Sequence, residues 1–303
     1  MQRMMITDFD GTLFRSDRTV AEKDIESLRQ LGDQGVIRVI ATGRNLYSFM
    51  KAAPADLPVD YLVFSTGVGI ARYPDPAANM IREASLSHEA CLYIKDVFDT
   101  FGFDYMVHGA VPEGHRFVYH RHTPENPDFD TRLSFYDGFS EPIDGCFSGP
   151  ASQFLAITRE GRASELFAAV SKALVDFTVI RTTSPFDGAS TWLEVFPKGI
   201  CKSEAVSYLA EQCGVSSSQT MAVGNDYNDE DLLHWSGQGF VVANAPDDLK
   251  ASFAAVSDND TCGVSEAIGR WAVAYASGGP AGGQTFKKFD KQVLSNPFQA
   301  PPK

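Results

Sequence analysis

The chain begins with short apolar runs separated by segments of helical spacing, which is the pattern of alternating strands and helices. Three early runs have the length of buried strands: Met4–Thr7, Val36–Thr42 and Asp60–Ser65. Two more follow late in the chain, at Thr220–Val223 and Gly239–Ala243. Because strands that alternate with helices are joined by right-handed crossovers, these segments predict one parallel sheet.

Helices are predicted between those strands. The first begins with a capping box formed by Thr19 and Glu22 and ends near Gly35. The other segments with helical spacing are Asn45–Ala53, Lys202–Cys213 and Asp229–Ser236. The predicted fold class is therefore α/β, with a Rossmann-like parallel-sheet core.

The middle of the chain has a different pattern. Across residues 75–190, aromatic and β-branched stretches alternate with turns rich in Pro and Gly, and a helical pattern lies among them at Ala163–Leu174. We interpret this region as an inserted α+β domain between two core segments, 1–74 and 191–276. The segment 277–303 is rich in Gly and Pro at both ends and predicts a C-terminal tail.

Composition narrows the functional classes. The 303 residues are 44% hydrophobic and 21% charged, which is ordinary for a soluble globular protein. A net charge of -13 argues against a nucleic-acid-binding or membrane-binding surface. The five cysteines never form CxxC, which favours reduced thiols in a cytoplasmic protein. We find neither a signal peptide nor a membrane span, and both a monomer and a homodimer remain open.

Polar side chains follow three of the predicted strands. Asp8 and Asp10 come directly after the first strand, Thr42 ends the second, and Asn225 and Asp226 follow a late one. Ligands of open α/β sheets bind at the carboxyl edge of the parallel strands, so these side chains should converge on one crevice. Carboxylate and amide oxygens suit Mg²⁺, whereas the spacing of a calcium-binding loop is absent.

Four motifs together resemble those of the haloacid dehalogenase (HAD) superfamily of phosphotransferases. They are DFDGTL from Asp8, ATGR from Ala41, PKGICK from Pro197 and GNDYND from Gly224. The resemblance is closest to the Cof-like, subfamily IIB branch and covers about Met4 to Ile268. It implies a HAD fold in which the inserted domain 75–190 is a C2-type cap.

The resemblance implies a catalytic role for four residues. Asp8 would attack phosphorus and form an aspartyl-phosphate, and Asp10 would protonate the leaving oxygen and then activate water. Thr42 would donate a hydrogen bond to the phosphate, and Lys202 would bind it as a cation at the start of a helix.

The resemblance also implies a Mg²⁺ site and further contacts with the phosphate. The expected metal-binding residues are Asp8, Asp10, Asn225 and Asp229. The expected phosphate or substrate contacts are Gly11, Thr12, Gly43, Arg44 and Asn228. For Arg44, simple pairing with an acidic side chain is an open alternative.

One position departs from the family pattern. Family members usually have Asp directly after the glycine of the GNDYND motif, whereas this chain has Asn225 there and Asp226 one place later. We expect Asn225 to be the ligand, because Asn228 and Asp229 keep their usual distance from Gly224. A turn shift that lets Asp226 supply the missing charge is the alternative.

These observations predict a Mg²⁺-dependent phosphomonoester hydrolase of a small phosphorylated metabolite, such as a sugar phosphate. A non-catalytic protein that binds a phosphometabolite and a phosphomutase are the alternatives. The cap should set specificity, and the stretch His108–His122 offers Arg116 and Arg121 for that purpose. An exposed hairpin without a role in binding is an equal alternative for this stretch.

Overall fold

Two β-sheets organise the chain in the computed structural model, which describes residues 2–143, 149–158 and 163–276. The strands are β1 Met4–Thr7, β2 Ile37–Ala41, β3 Tyr61–Phe64, β4 Gly69–Arg72, β5 Met80–Glu83, β6 Asp104–Gly109, β7 Phe117–His120, β8 Ser140–Pro142, β9 Ala151–Thr158, β10 Thr178–Thr183, β11 Thr191–Phe196, β12 Thr220–Gly224, β13 Gln238–Val242 and β14 Ala254–Val256. The helices are α1 Glu22–Asp33, α2 Leu46–Ala52, α3 His88–Phe101, α4 Pro127–Phe135, α5 Ala163–Ala173, α6 Lys202–Gln212, α7 Glu230–Trp235, α8 Asp247–Ser252 and α9 Gly263–Ala276.

The first sheet has eight strands in the order β14-β13-β12-β1-β2-β3-β4-β5. From β14 to β3 all pairs are parallel, so the predicted parallel core is confirmed. Helices α1 and α9 pack on one face, and α6 and α7 pack on the other. This double coverage buries every residue of β1, which explains its uninterrupted apolar sequence. The hairpin β4–β5 extends the sheet in the antiparallel sense.

The second sheet has six strands in the order β10-β11-β9-β6-β7-β8. Helix α3 packs on one face through Phe98 together with Leu174, which follows α5. Helix α4 packs on the other face through Phe129. We call this sheet together with α3, α4 and α5 the cap.

The predicted limits of the inserted domain, 75–190, do not coincide with the two sheets. The β4–β5 hairpin belongs to the eight-stranded sheet, and β11 belongs to the cap because it pairs with β9 and β10. Strand β11 has the same aromatic and β-branched character as the cap strands before it. The amino-acid composition therefore gives no signal at residue 190, the predicted end of the inserted domain. The division into domains stays a prediction.

One local prediction is wrong. The capping box of Thr19 and Glu22 does not form, because α1 begins at Glu22 with Ala21 as its N-cap. The Thr19 hydroxyl instead donates to Asp17 Oδ1 at 2.6 Å and belongs to the preceding turn. By contrast, Asn45 caps α2, where its side chain accepts the Ser48 amide at 2.9 Å.

No helix in the described ranges has both the length and the apolar character needed to cross a membrane. The cysteines that the structure describes, Cys91, Cys201, Cys213 and Cys262, are free thiols. The predicted tail, 277–303, lies outside the described residues.

Candidate active site

The carboxyl ends of three neighbouring strands meet at one edge of the eight-stranded sheet. Strand β1 pairs in parallel with β2 on one side and with β12 on the other. Asp8 follows β1, Thr42 follows β2 and Asn225 follows β12, so the three side chains are brought to the same edge. This arrangement agrees with the convergence expected from the sequence.

Lys202 joins two carboxylates at the centre of this edge. Its ammonium Nζ donates to Asp8 Oδ1 at 2.7 Å and to Asp229 Oδ1 at 2.7 Å, and all three side chains are buried. Burial alone would lower the pKa of Lys202, but the two carboxylates raise it, so the ammonium stays charged. Burial raises the pKa of Asp8 to about 7, against the opposing effect of Lys202. With both carboxylates ionised, the cluster has one excess negative charge, which favours a cation beside Asp8.

Asp229 supports the loop that follows β12. Its Oδ2 accepts the backbone amides of Asn225 at 2.9 Å and Asp226 at 3.3 Å, while its Oδ1 accepts Lys202. A Cβ atom on Gly224 would lie 2.5 Å from Asp229 Cβ, so only glycine permits this approach. Both oxygens of Asp229 are therefore engaged, and this geometry orients Lys202 and the loop. Within the described ranges, no three His, Cys, Asp or Glu side chains form a metal-binding group.

Asn225 extends its amide into the space beside Asp8. One terminal amide atom lies 3.0 Å from the carbonyl oxygen of Asp10, 3.2 Å from Asp8 Oδ2 and 3.2 Å from Thr12 Oγ1. With nitrogen at this point, the amide donates to these oxygens. With oxygen there, the distances from Asn225 to the Asp10 and Asp8 oxygens are those between neighbouring oxygen ligands of Mg²⁺, about 3 Å.

Asp226 uses its carboxylate to cap the turn that follows it. Its Oδ1 accepts the Tyr227 backbone amide at 2.8 Å, and the side chain caps the short turn Tyr227–Asp229. Burial raises the pKa of Asp226. Of the two candidate ligands, the structure therefore brings Asn225, and not Asp226, next to Asp8.

Asp10 lies at the same edge and is paired with Arg44. The guanidinium donates from Nη2 to Asp10 Oδ1 at 2.6 Å and from Nε to Asp10 Oδ2 at 2.7 Å. Arg44 also lies over the rings of Phe9 and Phe14, with centroid distances of 5.4 Å and 5.3 Å. This is the pairing with an acidic side chain that the sequence left open for Arg44.

The remaining expected contacts surround these groups. Gly11 has a φ of +68°, and a Cβ there would lie 2.6 Å from the Asn225 amide, so the turn requires glycine. The Thr42 hydroxyl accepts the Arg44 backbone amide at 3.1 Å. An added Cβ on Gly43 would lie 3.8 Å from the side-chain amide of Asn228, which places Asn228 beside this turn.

Sequence reasoning missed Thr66, which also lies beside Gly43. Thr66 is fully buried with a φ of 58°, and its hydroxyl has no hydrogen-bond partner in the part of the chain described. A buried hydroxyl without a partner is costly unless a ligand completes its hydrogen bonds. The signal available in the sequence was position, since Thr66 directly follows the third predicted strand at the same carboxyl edge.

The cap covers the edge from two sides. On the α2 side, Asn45 Nδ2 donates to the Tyr136 hydroxyl at 2.9 Å, and the Tyr47 ring stacks on His115 at 4.7 Å. On the other side, the Arg181 guanidinium lies 5.3 Å from the ring centroid of Tyr227. The charged groups around Asp8 therefore lie between the two sheets.

The cap arginines selected from the sequence do not reach this space. Arg116 is exposed and pairs with Glu113, and Arg121 pairs with Asp130 on the cap surface. For both arginines, the alternative of an exposed hairpin describes the structure better.

Comparison with known proteins defines the class. Residues 5–268 match the family model of haloacid dehalogenase-like hydrolases. The match spans most of the chain, and the protein belongs to this family.

Individual relatives are similar to this chain over nearly their full length. The 5-amino-6-(5-phospho-D-ribitylamino)uracil phosphatase of Bacillus subtilis is 24% identical over 89% of this chain and 95% of its own length. The HMP-PP phosphatase of Serratia proteamaculans is 29% identical over 83% of this chain and 87% of its own. A HAD phosphatase from Bacteroides thetaiotaomicron has the same fold, with a TM-score of 0.74, 21% identity and coverage of 90% and 96% of the two chains.

Proposed function

We propose that the protein is a Mg²⁺-dependent phosphomonoester hydrolase of a small phosphorylated metabolite, which acts through an aspartyl-phosphate on Asp8. The observation that carries this proposal is the buried contact of Lys202 with Asp8, next to Asp10 at the edge of a covered sheet. The family match and the relatives named as phosphatases support the same reaction class.

The first step is displacement at phosphorus. A carboxylate oxygen of Asp8 forms a bond to phosphorus, and the bond between phosphorus and the ester oxygen breaks. Asp10, which takes up a proton from solvent before this step, transfers it to that leaving oxygen, which departs as an alcohol. Lys202 orients Asp8 and offers positive charge to the transferred phosphoryl group, since its ammonium lies 2.7 Å from the attacking carboxylate.

The second step returns Asp8 to its starting state. Asp10, now a carboxylate, accepts a proton from water, and the water oxygen bonds to phosphorus as the bond to Asp8 breaks. The products are inorganic phosphate and a free carboxylate on Asp8. A binding protein has no need of the second acid, so the position of Asp10 favours catalysis over simple binding.

The residues at this edge fit Mg²⁺. The Asp8 Oδ2 atom, the Asp10 carbonyl oxygen and the Asn225 amide would hold it, because one amide atom already lies 3.0–3.2 Å from the other two. When bound, Mg²⁺ would neutralise negative charge on the transferred phosphoryl oxygens.

Arg44 determines when Asp10 is available as an acid. In the bidentate pair both Asp10 oxygens accept from the Arg44 guanidinium, so neither is free to reach a leaving oxygen. Arg44 would release Asp10 by turning toward the phosphate dianion, which is also a bidentate acceptor. Substrate binding and the freeing of the general acid would then occur together.

A phosphate-release screen tests the proposal. Purified protein is incubated with a panel of phosphorylated metabolites, with Mg²⁺ or with EDTA, and released phosphate is measured. We expect Mg²⁺-dependent release from at least one member and none by Asp8→Asn. Tight binding of phosphorylated compounds by folded protein without any release would support the binding protein instead.

A further inference from the structure

A row of buried polar residues crosses the middle of the cap sheet. His108 of β6 pairs directly with Gln153 of β9, and Gln153 Nε2 donates to Glu194 Oε1 of β11 at 3.3 Å. Residues two positions away on these strands, such as Met106 and Leu155, pack in the apolar cluster beneath α4. Buried polar side chains among apolar neighbours are costly, so a row of three calls for an explanation.

This row faces the sheet edge that carries Asp8, Asp10 and Lys202, which we call the catalytic edge. Burial raises the pKa of Glu194 to about 7, although Arg132, the hydrogen bond from Gln153 and, least of the three, the Lys202 ammonium favour its charged form. Glu194 therefore lies within electrostatic reach of Lys202. Helix α4 borders the same face, and Tyr136, which directly follows it, accepts a hydrogen bond from Asn45 at the start of α2. The polar row and the Asp8 cluster therefore lie on opposite walls of one space.

Arg132 of α4 lies beside this row, and no carboxylate of the described residues forms an ion pair with it. It is 8% exposed, and its Nη2 is 3.3 Å from His108 Nε2. Its guanidinium lies 4.6 Å from the ring centroid of Trp192 and 5.2 Å from that of Tyr136. Within the described ranges, its Nε atom has no hydrogen-bond partner.

The acidic side chains near Arg132 bind other donors. Asp128 accepts Ser184 Oγ at 2.6 Å and Trp192 Nε1 at 2.7 Å, and Glu194 accepts Gln153. His108 adds no second positive charge beside the guanidinium, because burial and Arg132 lower its pKa to about 3 and the imidazole is neutral. Burial lowers the pKa of Arg132, and Glu194 and Asp128 oppose this effect from a distance, without an ion pair in the part of the chain described. The free donors of this buried guanidinium therefore suit an anionic ligand.

We propose that Arg132 binds a second acidic group, carried by the leaving group of the substrate, and that Glu194 and Gln153 bind a hydroxyl or amine on it. The substrate class is thus a phosphomonoester whose alcohol part bears a carboxylate or a second phosphate. This inference rests on the proposed phosphatase function, because it assigns the opposite wall of the same site.

Matched substrate pairs test the inference. Phosphoglycerate is compared with glycerol phosphate for the carboxylate, and a hexose bisphosphate with the hexose monophosphate for the second phosphate. The wild type should prefer the acid-bearing member of one pair by about 10–100-fold in kcat/KM, the scale of one charge-assisted hydrogen bond. The pair that shows the preference identifies which acid is bound.

Variants assign the preference to Arg132. Arg132→Gln should bring the ratio within the preferred pair close to one, and Arg132→Lys should keep part of it. The matched control is Arg116→Gln, an exposed cap arginine that should leave the ratio unchanged. Equal kcat/KM values within both wild-type pairs, or equal losses on both members in Arg132→Gln, would overturn the inference.

A binding measurement separates this inference from the proposed function. Calorimetry with Asp8→Asn protein compares the same pairs without turnover. Preferred binding of an acid-bearing ester that Arg132→Gln abolishes would support the role of Arg132 even if no phosphate is released. Equal binding of both members would contradict it, whatever the outcome of the phosphate-release screen.

Discussion

The catalytic edge and the polar face of the cap are both buried and polar, but they differ in how their charges are paired. At the edge, Lys202 has two carboxylate partners at 2.7 Å, and Arg44 holds Asp10 through two hydrogen bonds. In the cap, Arg132 contacts a neutral imidazole and two rings, and none of the described carboxylates forms an ion pair with it. Charged side chains that pair with one another hold reacting groups in place. A buried charged side chain without an ion-pair partner can instead bind a ligand of opposite charge.

The predictions below test whether the edge supplies the chemistry and the cap supplies recognition. Changes at the edge should act on the chemical step, and changes in the cap should act on stability or on choice of substrate.

The largest effect is expected from Asp8→Asn. An amide oxygen is a poor nucleophile toward phosphorus, so turnover should fall by about 10⁴-fold or more, while the fold is retained. Phosphate release is measured beside circular dichroism as the control for folding. Substantial turnover by the folded variant would rule out Asp8 as the nucleophile.

Asp10→Asn should lower the rate by about 10²–10⁴-fold, the usual scale for loss of general acid–base catalysis. The loss should be smaller for nitrophenyl phosphate, whose leaving group needs little protonation. Rates are compared between that ester and an alkyl phosphate. An equal loss for both would mean that Asp10 serves only to hold Arg44 and the turn.

Glu194→Gln should change how stability depends on pH. Burial raises the pKa of Glu194 from 4.5 to about 7, so the folded protein binds this proton more tightly than the unfolded chain. The contribution of Glu194 to the free energy of unfolding is complete below pH 4.5. It is lost as pH rises through about 7, and the loss reaches about 3 kcal/mol. Relative to the wild type, the variant should therefore gain stability with rising pH.

Urea unfolding at about pH 5 and about pH 8 measures this difference. Asp8 and the other titrating groups are present in both proteins and cancel in the comparison. If the free energies of unfolding of the wild type and Glu194→Gln differ by the same amount at both pH values, burial does not hold Glu194 in its neutral form.

The smallest effect is expected at the metal site. Asn225→Asp adds a charge beside Asp8 and should tighten Mg²⁺ binding by about tenfold, whereas Asp226→Ala should change it little. Calorimetric titration of Mg²⁺ into the protein measures both without relying on activity. Loss of Mg²⁺ binding in Asp226→Ala, with no change in Asn225→Asp, would mean that Asp226 is the ligand and Asn225 is not.

The sequence was informative at the edge because its residues are contiguous with strands. Asp8 and Asp10 directly follow an apolar run, and parallel pairing of β1 with its neighbours then determines where Thr42 and Asn225 lie. Periodicity could not show that Asp229 would accept two backbone amides, because this contact depends on the turn after Gly224.

The cap was much less predictable. His108, Gln153 and Glu194 lie on three strands that are distant in sequence, and they meet only because β9 lies between β6 and β11. Arg116 and Arg121 were selected because they share a short stretch with aromatic residues, but each pairs with a nearby acid on the surface. These contacts depend on strand order and helix position, which the local sequence pattern does not predict.

The central claim is that Asp8 becomes phosphorylated during turnover. The most direct measurement is an acid quench of Asp10→Asn protein during reaction with labelled nitrophenyl phosphate, whose leaving group needs little protonation, and Mg²⁺, followed by peptide mapping. Loss of Asp10 slows attack by water, so we predict one phosphoryl group on the peptide that contains Asp8, and none in Asp8→Asn protein. Phosphate release without any labelled protein, or label on a different residue, would contradict the account.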